Sequence, residues 1–230
     1  YFILKYNQPG VVSQIWISYP GYSVKQMYNP INNSVYRLSI YKYKNWMKMW
    51  TNDETNLFEN VTLNNTEKYY KGDFNGDNKE DILLVKGSNN NLIINLYSFI
   101  FGQFKLIWSN NGQPNMGHAY VYSNSEFIIG DFLNSGKDQV LIKTNGNLNL
   151  MEFNANNWQS VWNNNSNIGW INGWHILSND VFKVGDFNGD SRDDLLCVQK
   201  NSGMNFCNIY TFNSQINNWD YLWTNNGNNW

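Results

Sequence analysis

The chain has 230 residues, a formal charge of −2, only 15% charged residues, and no apolar run near the roughly 18 residues that read as a membrane span. It lacks the basic excess that would neutralise a phosphate backbone, which argues against a nucleic-acid partner, and it predicts no membrane-spanning segment. At this length it can bury a sizeable core, as one all-β domain or as an array of small repeating units.

Its polarity comes from asparagine in a chain that is 17% aromatic. Apolar residues alternate between the asparagines, which predicts folded β-structure in place of low-complexity disorder. The chain begins at Tyr1 and not at methionine, as expected of a processed product or a portion of a longer precursor. N-x-S/T acceptors at Asn32, Asn60, Asn64 and Asn164 fit secretion and surface loops.

Taken from the amino terminus, the segment GVVSQIWIS from Gly10 reads as a strand without acidic ligands, and Trp50 opens a W-polar-N landmark (WTN). GDFNGDNKEDILLV then starts at Gly72, recurs as GDFLNSGKDQVLIK from Gly130, and recurs again as GDFNGDSRDDLLCV from Gly185. The landmark follows each copy, at Trp108, Trp162 and Trp223, and 22 or 23 residues separate each earlier landmark from the next GDF glycine. Four residues before each landmark stands a second aromatic, at Trp46, Phe104, Trp158 and Trp219; the even spacing predicts both rings on one face of a strand.

These intervals define four repeats, at approximately 1–60, 61–117, 118–173 and 174–230, within one domain over 1–230. In the second repeat, strands are expected at Ile82 to Val85, Leu92 to Phe99 and Phe104 to Trp108, with a turn at Gly87 to Asn91. No window keeps capped helical periodicity, so the prediction is all-β, with each repeat a four-stranded blade of a β-propeller. The ring is either four-bladed or part of a larger one.

The loop from Asp73 places side-chain oxygens at positions 1, 3, 5 and 9: Asp73, Asn75, Asp77 and Asp81. Such a loop can wrap one hard cation. Calcium accepts six to eight oxygens in irregular geometry and takes a mid-loop carbonyl, here from Lys79 at position 7. Asp186, Asn188, Asp190, Arg192 and Asp194 repeat the set, giving two predicted calcium sites. The third copy has Leu133, Ser135 and Gln139 at positions 3, 5 and 9, with Asp131 and an offset Asp138, and predicts none. The alternative for every loop is an Asx-type turn satisfied by its own hydrogen bonds.

The GDFNGD..(D/E)DLL pattern resembles the FG-GAP or VCBS repeat family, whose blades occur in integrin α-chain propellers, fungal lectins and secreted microbial proteins. The resemblance covers three of the four repeats. It implies calcium held on blade-edge loops for rigidity, carried over to the Asp73 and Asp186 loops alone; it does not single out a function.

Cys197 and Cys207 flank Asn201-Ser202-Gly203 symmetrically about residue 202, so a hairpin turning there would set them opposite each other. They form either a cross-strand disulfide or two small thiols. Two histidines, His118 and His175, with no paired thiol and base and no nucleophile elbow, argue against an enzyme. Trp170, Trp174 and Trp230 fall outside the repeat register. Trp170, Asn172, Trp174 and His175 suit a sugar, whose ring face stacks on indole while amides meet its hydroxyls; equally, the rings could plug a gap between repeats. The chain thus reads as a secreted calcium-binding propeller with a carbohydrate-binding or adhesive role, its partner a glycan or an extracellular protein. The alternatives are a self-associating structural subunit of an extracellular assembly, and part of a polysaccharide-degrading enzyme.

Overall fold

The computed structural model describes the backbone of residues 12–19, 22–28, 36–42, 47–51, 57–58, 61–62, 67–87, 92–201 and 204–225, and the side chains of 67–87, 92–165, 167–199 and 206–225. The acceptors Asn32, Asn60 and Asn64, and the side chains of Trp46, Trp50 and Trp230, lie outside these residues. The all-β expectation holds: no α-helix occurs among the described residues, and one 3-10 turn spans Asn165–Asn167.

Four antiparallel sheets of four strands recur along the chain. The first has β1 (Val12–Tyr19), β2 (Tyr22–Tyr28), β3 (Tyr36–Lys42) and β4 (Met47–Thr51), and a hairpin follows, β5 (Leu57–Phe58) with β6 (Val61–Thr62). The second sheet has β7 (Lys68–Gly72), β8 (Asp81–Lys86), β9 (Ile93–Ile100) and β10 (Gln103–Ser109), followed by the hairpin β11 (Asn115–Met116) and β12 (Ala119–Tyr120). The third comprises β13 (Glu126–Gly130), β14 (Gln139–Thr144), β15 (Asn147–Asn154) and β16 (Asn157–Asn163), then the hairpin β17 (Trp170–Ile171) and β18 (Trp174–His175). The last has β19 (Val181–Gly185), β20 (Asp194–Asn201), β21 (Met204–Asn213) and β22 (Asn218–Thr224). Each is a simple meander in chain order. Two compact units divide the chain: one of Tyr1–Lys71, Lys79–Gly87 and Asn95–Ser109, the other of Gly72–Asn78, Ser88–Ile94 and Asn110–Trp230.

Strand character follows burial. β14, QVLIKT, is buried along its whole length as an inner strand, whereas the edge strand β16 of the same sheet buries Trp158 and Trp162 and exposes Asn157, Gln159 and Ser160. Asn145 and Gly146 join β14 to β15 with φ of 49° and 83°, the left-handed pair a two-residue hairpin requires.

In the third repeat the two landmark aromatics do not share a face. Leu150 pairs with Trp162 and Met151 with Ser160, so Val161 is an extra residue in β16. This bulge reverses the alternation between Trp158 and Trp162. Trp158 therefore meets Phe153 and, from the preceding repeat, Phe74 edge-on at 5.6 Å, while Trp162 meets Trp219 of the following repeat at 6.1 Å. The same register shift falls between Ile209 and Tyr210 in the last sheet. Trp219 there packs on Phe212 and on Phe132, the GDF phenylalanine one repeat back.

The landmark asparagine is as structural as its tryptophan. Asn110, Asn164 and Asn225 are all buried. Each side-chain oxygen accepts an amide N–H from the adjacent, paired strand, that of Ile94, Leu148 or Cys207, at 2.8–2.9 Å. Asn164 Nδ2 also donates to the carbonyls of Gly146 and Trp170, and Asn110 Nδ2 to those of Leu92 and Gln113. These amides extend the sheet ladder beyond the last backbone pair. Glycosylation at Asn164 is accordingly overturned, because its amide is buried and engaged at both ends.

The cysteine pairing is corrected too. Asn201 pairs with Met204, which sets Cys197 against Asn208 and Cys207 against Val198. The turn is one residue shorter than the symmetric one, so the two thiols fall on opposite faces of the sheet and are not bonded to each other. Cys197 is fully buried, and that burial holds its thiol well above the ordinary range. The predicted repeat boundaries near 117 and 173 also cut through hairpins β11–β12 and β17–β18.

Asn164→Ala removes the acceptor of the Leu148 amide and the donor to Gly146, leaving buried polar groups unpaired. Urea unfolding is expected to show a loss of about 1–3 kcal/mol per group so stranded, whereas Asn165→Ala, an exposed neighbour, is expected to leave stability unchanged.

Candidate metal loops and the aromatic hairpin

In each GDF copy the chain leaves an outer strand at glycine and turns through the acidic loop into an inner strand. The turn is built on its first aspartate. Asp186 Oδ1 accepts the amides of Gly189 (2.7 Å) and Asp190 (3.1 Å), and Oδ2 accepts that of Ser191 (2.9 Å). Asn188 Oδ1 accepts from the Asp190 amide and Asp190 Oδ1 from that of Arg192, both at 2.8 Å. The Asp73 loop copies this, with Asp73 accepting from Gly76, Asp77 and Asn78 and Asn75 from Asp77. Desolvation works upward on both leading carboxyls. The amides outweigh it at Asp186, which is held below the usual carboxylate range, but not at the more enclosed Asp73, which is raised.

The basic residue at position 7 anchors the loop from outside. Arg192 Nη1 donates to the Phe212 carbonyl of β21, and Lys137 Nζ to Asn154 Oδ1 at 2.6 Å.

Position 9 distinguishes the loops. In the third repeat the side chain is Gln139, fully buried, and its Nε2 donates to the position-7 carbonyl of Lys137 (2.8 Å) and to the position-5 hydroxyl of Ser135 (3.0 Å). An N–H group thus occupies the centre on which positions 5, 7 and 9 converge. In the last repeat the residue is Asp194, also fully buried; Oδ2 accepts the Phe187 amide at 3.0 Å, and Oδ1 has no hydrogen-bond partner. Burial raises its carboxyl above the usual value, with the Phe187 amide offsetting part of the rise. Asp81, at position 9 of the first acidic loop, is likewise fully buried at the head of β8. Among the described residues, no three carboxylate, imidazole or thiolate groups yet converge on one point. The exposed side chains of Asn188 and Asp190 would have to rotate inward to complete a shell with Asp186, Asp194 and the Arg192 carbonyl.

Asp138 and Asp193, outside any ligand set, lock repeat to repeat. Asp138 Oδ2 accepts the Asp73 amide (2.7 Å), and the Asp138 amide donates back to the Asp73 carbonyl (2.8 Å). Asp193 does the same to Asp131, at 2.9 and 3.1 Å. The GDF glycine makes the approach feasible: a Cβ on Gly130 would lie 2.6 Å from Val184 Cγ1 and 2.9 Å from Asp193 Oδ2. Sequence reading passed over this pair, although an acid stands eight residues after each GDF glycine.

The four proposed sugar contacts are divided by the β17–β18 hairpin. Asn172 and Gly173 form its two-residue turn, with φ of 37° and 85°. Trp170 and His175 pair across it, their ring centroids 4.8 Å apart and the planes tilted by 42°; Trp170 is 39% exposed. Trp174 turns the other way, into the core, and its Nε1 donates to the buried carboxylate of Asp180 at 2.9 Å. Ala119 takes the equivalent place in the β11–β12 hairpin and is equally buried, so Trp174 fills a core position and is withdrawn as a ligand platform. Asn172 Nδ2 is committed to the Trp219 carbonyl at 2.7 Å. His118 is exposed on the β11–β12 hairpin.

No family model and no curated protein matches the chain. Among solved structures it is similar to the rhamnogalacturonan lyase YesW at 11% identity and to the Bacillus licheniformis rhamnogalacturonan lyase PL11 and the exotype rhamnogalacturonan lyase YesX, both at 12%, each with a TM-score of 0.44. The match covers 92% of this chain and 51%, 51% and 50% of those chains, so the chain spans about half their length.

Proposed function

We propose that this chain is a non-catalytic, calcium-braced binding module of the propeller type, acting outside the cell, with its four meander sheets as blades. The observation that carries the metal is the contrast at position 9. Gln139 meets the oxygens of positions 5 and 7 with its own N–H, whereas Asp194 brings a further acceptor and leaves Oδ1 buried without a partner. A buried unpaired carboxylate oxygen costs several kcal/mol, and a hard cation is the partner that oxygens at positions 1, 3, 5, 7 and 9 share. Asp186, Asn188, Asp190, the Arg192 carbonyl and Asp194 would hold it; Asp73, Asn75, Asp77, the Lys79 carbonyl and Asp81 are the second set. Calcium there supplies rigidity to loops that also carry the repeat-to-repeat locks.

Titration calorimetry is expected to find two calcium sites in the native chain and one in Asp194→Gln, which copies the third repeat. The native chain is also expected to gain about 2.7 kcal/mol per site at a hundredfold excess of calcium over its Kd. No calcium response in the native chain would leave the loops as self-satisfied Asx turns.

The pH dependence without metal follows from Asp194. Its folded pKa is raised by burial above the unfolded value, so its contribution to stability is full below the unfolded pKa and is lost as pH rises through the folded one. In chelator, Asp194→Asn is expected to unfold at a higher temperature than the native chain at neutral pH, with the gap closing towards acid. In calcium the order reverses, because the variant lacks the ligand.

The exposed Trp170–His175 pair favours a glycan as the molecule bound, since an indole face with a polar neighbour matches a sugar's apolar ring face and hydroxyls. On a glycan array, Trp170→Ala is expected to abolish retention at unchanged thermal stability. Trp174→Ala should instead destabilise the fold by about 3–5 kcal/mol, as buried aromatic truncations do. Retention by the Trp170 variant equal to the native chain's would remove the hairpin as the site.

A further inference from the structure

We propose that Thr211 Oγ1 is a further ligand for the cation assigned to the last loop, an inference that rests on the calcium reading of that loop. At one oxygen each, Asp186, Asn188, Asp190, the Arg192 carbonyl and Asp194 supply five, whereas calcium takes about six to eight. Asp194 does not make up the difference, because its Oδ2 already accepts the Phe187 amide at 3.0 Å and Oδ1 alone is left to offer. The missing oxygen has to come from outside the loop.

Asp194 opens β20, and the β20–β21 register, in which Leu195 pairs with Tyr210, carries on by one residue to set Thr211 opposite it. Residues opposite each other in an antiparallel pair lie on the same face of the sheet. Thr211 Oγ1 is buried and, like Asp194 Oδ1, has no hydrogen-bond partner among the described residues. Two orphaned oxygens thus stand on one face, at the end of the sheet where the loop enters it. Each such group is costly to bury unpaired, and a shared cation satisfies both.

The third repeat shows where a side chain at this place reaches. There the β14–β15 register runs on from Val140 and Met151 to Gln139 and Glu152. Glu152 Oε1 lies 3.4 Å from Ser135 Oγ at position 5 and 3.5 Å from Gln139 Nε2 at position 9, so the cross-strand residue points at the centre of the loop. Threonine is two bonds shorter than glutamate, and a cation between Thr211 and Asp194 spans what the longer side chain spans directly. The two places also change together. Gln139 faces a carboxylate, which suits its amide, and Asp194 faces a hydroxyl. In the second repeat, where position 9 is Asp81, the residue before Phe99 is again a hydroxyl, Ser98; Phe99 pairs with Phe104 as Phe153 does with Trp158 and Phe212 with Trp219. A neutral oxygen suits a cation already met by three carboxylates, where a fourth would add like-charge repulsion.

Terbium luminescence lifetimes in light and heavy water count the waters on the bound ion, and they test this in an Asp77→Ala chain whose first acidic loop is silenced. Thr211→Val keeps the shape of the side chain and removes its oxygen. It is expected to add one water to the bound terbium and to weaken calcium binding in calorimetry by about tenfold or more. In chelator it is expected to unfold at or above the parent's temperature, because a buried unpaired hydroxyl is gone. Thr211→Ser restores the hydroxyl and is expected to return the water count and the affinity to the parent's values. An unchanged water count in Thr211→Val overturns the proposal whatever the affinity, since a merely structural threonine alters stability and not the hydration of the ion. A serine variant that behaves as the valine variant does also overturns it. If the Asp77→Ala parent binds neither ion, the calcium reading of the last loop fails and takes this inference with it; if parent and valine variant bind alike, that reading stands and Thr211 alone is removed from the site.

Discussion

The interlock between successive repeats is the contact on which the third and fourth sheets depend. A GDF phenylalanine meets the next repeat's indole edge-on, and the neighbouring carboxylate and amide exchange two hydrogen bonds with the GDF backbone. Edge-to-face aromatic pairs contribute about 0.5–1.5 kcal/mol beyond their burial, and a charge-assisted hydrogen bond is stronger than a neutral one. Neither sheet buries both faces alone. The glycine, phenylalanine and distal acid of one motif are therefore a single device, and each fails without the others: any side chain at Gly130 would displace Val184 and Asp193 together.

Two further features follow from that geometry. A strand with plain alternation would present both landmark aromatics to the same neighbour. The bulge at Val161 lets one face the preceding repeat and the other the following one, so the third sheet is both guest and host. The bulge also disturbs the ladder at the strand's end, where the Asn164 amide restores pairing from its side chain. Tryptophan and asparagine two residues apart are thus coupled, the first by packing and the second by the hydrogen bonds that the packing would otherwise leave open.

The acidic loops sit at this same junction, so the proposed metal would have a mechanical meaning there. Asp186 and Asp73 hold their turns by accepting three backbone amides apiece, so the loops have a defined shape of their own. What a cation held as proposed would add is charge balance at position 9. Repeats that carry Asp81 or Asp194 bury a carboxylate there, while the third repeat buries a neutral amide and braces itself.

Alternation of apolar residues, the repeat intervals and the GDF strings were enough to read all-β structure, four sheets and the strand positions, because these depend on side-chain periodicity and turn chemistry within a few residues. Val12 to Ser18 was legible as a strand for the same reason. The acidic loops could be located, and the third set apart, from residue type alone. What only tertiary structure decided was which way side chains point once register departs from the simple count. One residue fewer in the β20–β21 turn parts Cys197 from Cys207, one extra residue at Val161 turns Trp162 away from Trp158, and a two-residue turn at Asn172 and Gly173 sends Trp174 inward while Trp170 and His175 stay exposed. Side chains alternate with period two, so a shift of one residue exchanges core for surface, and that shift is set by packing between repeats that no local pattern records.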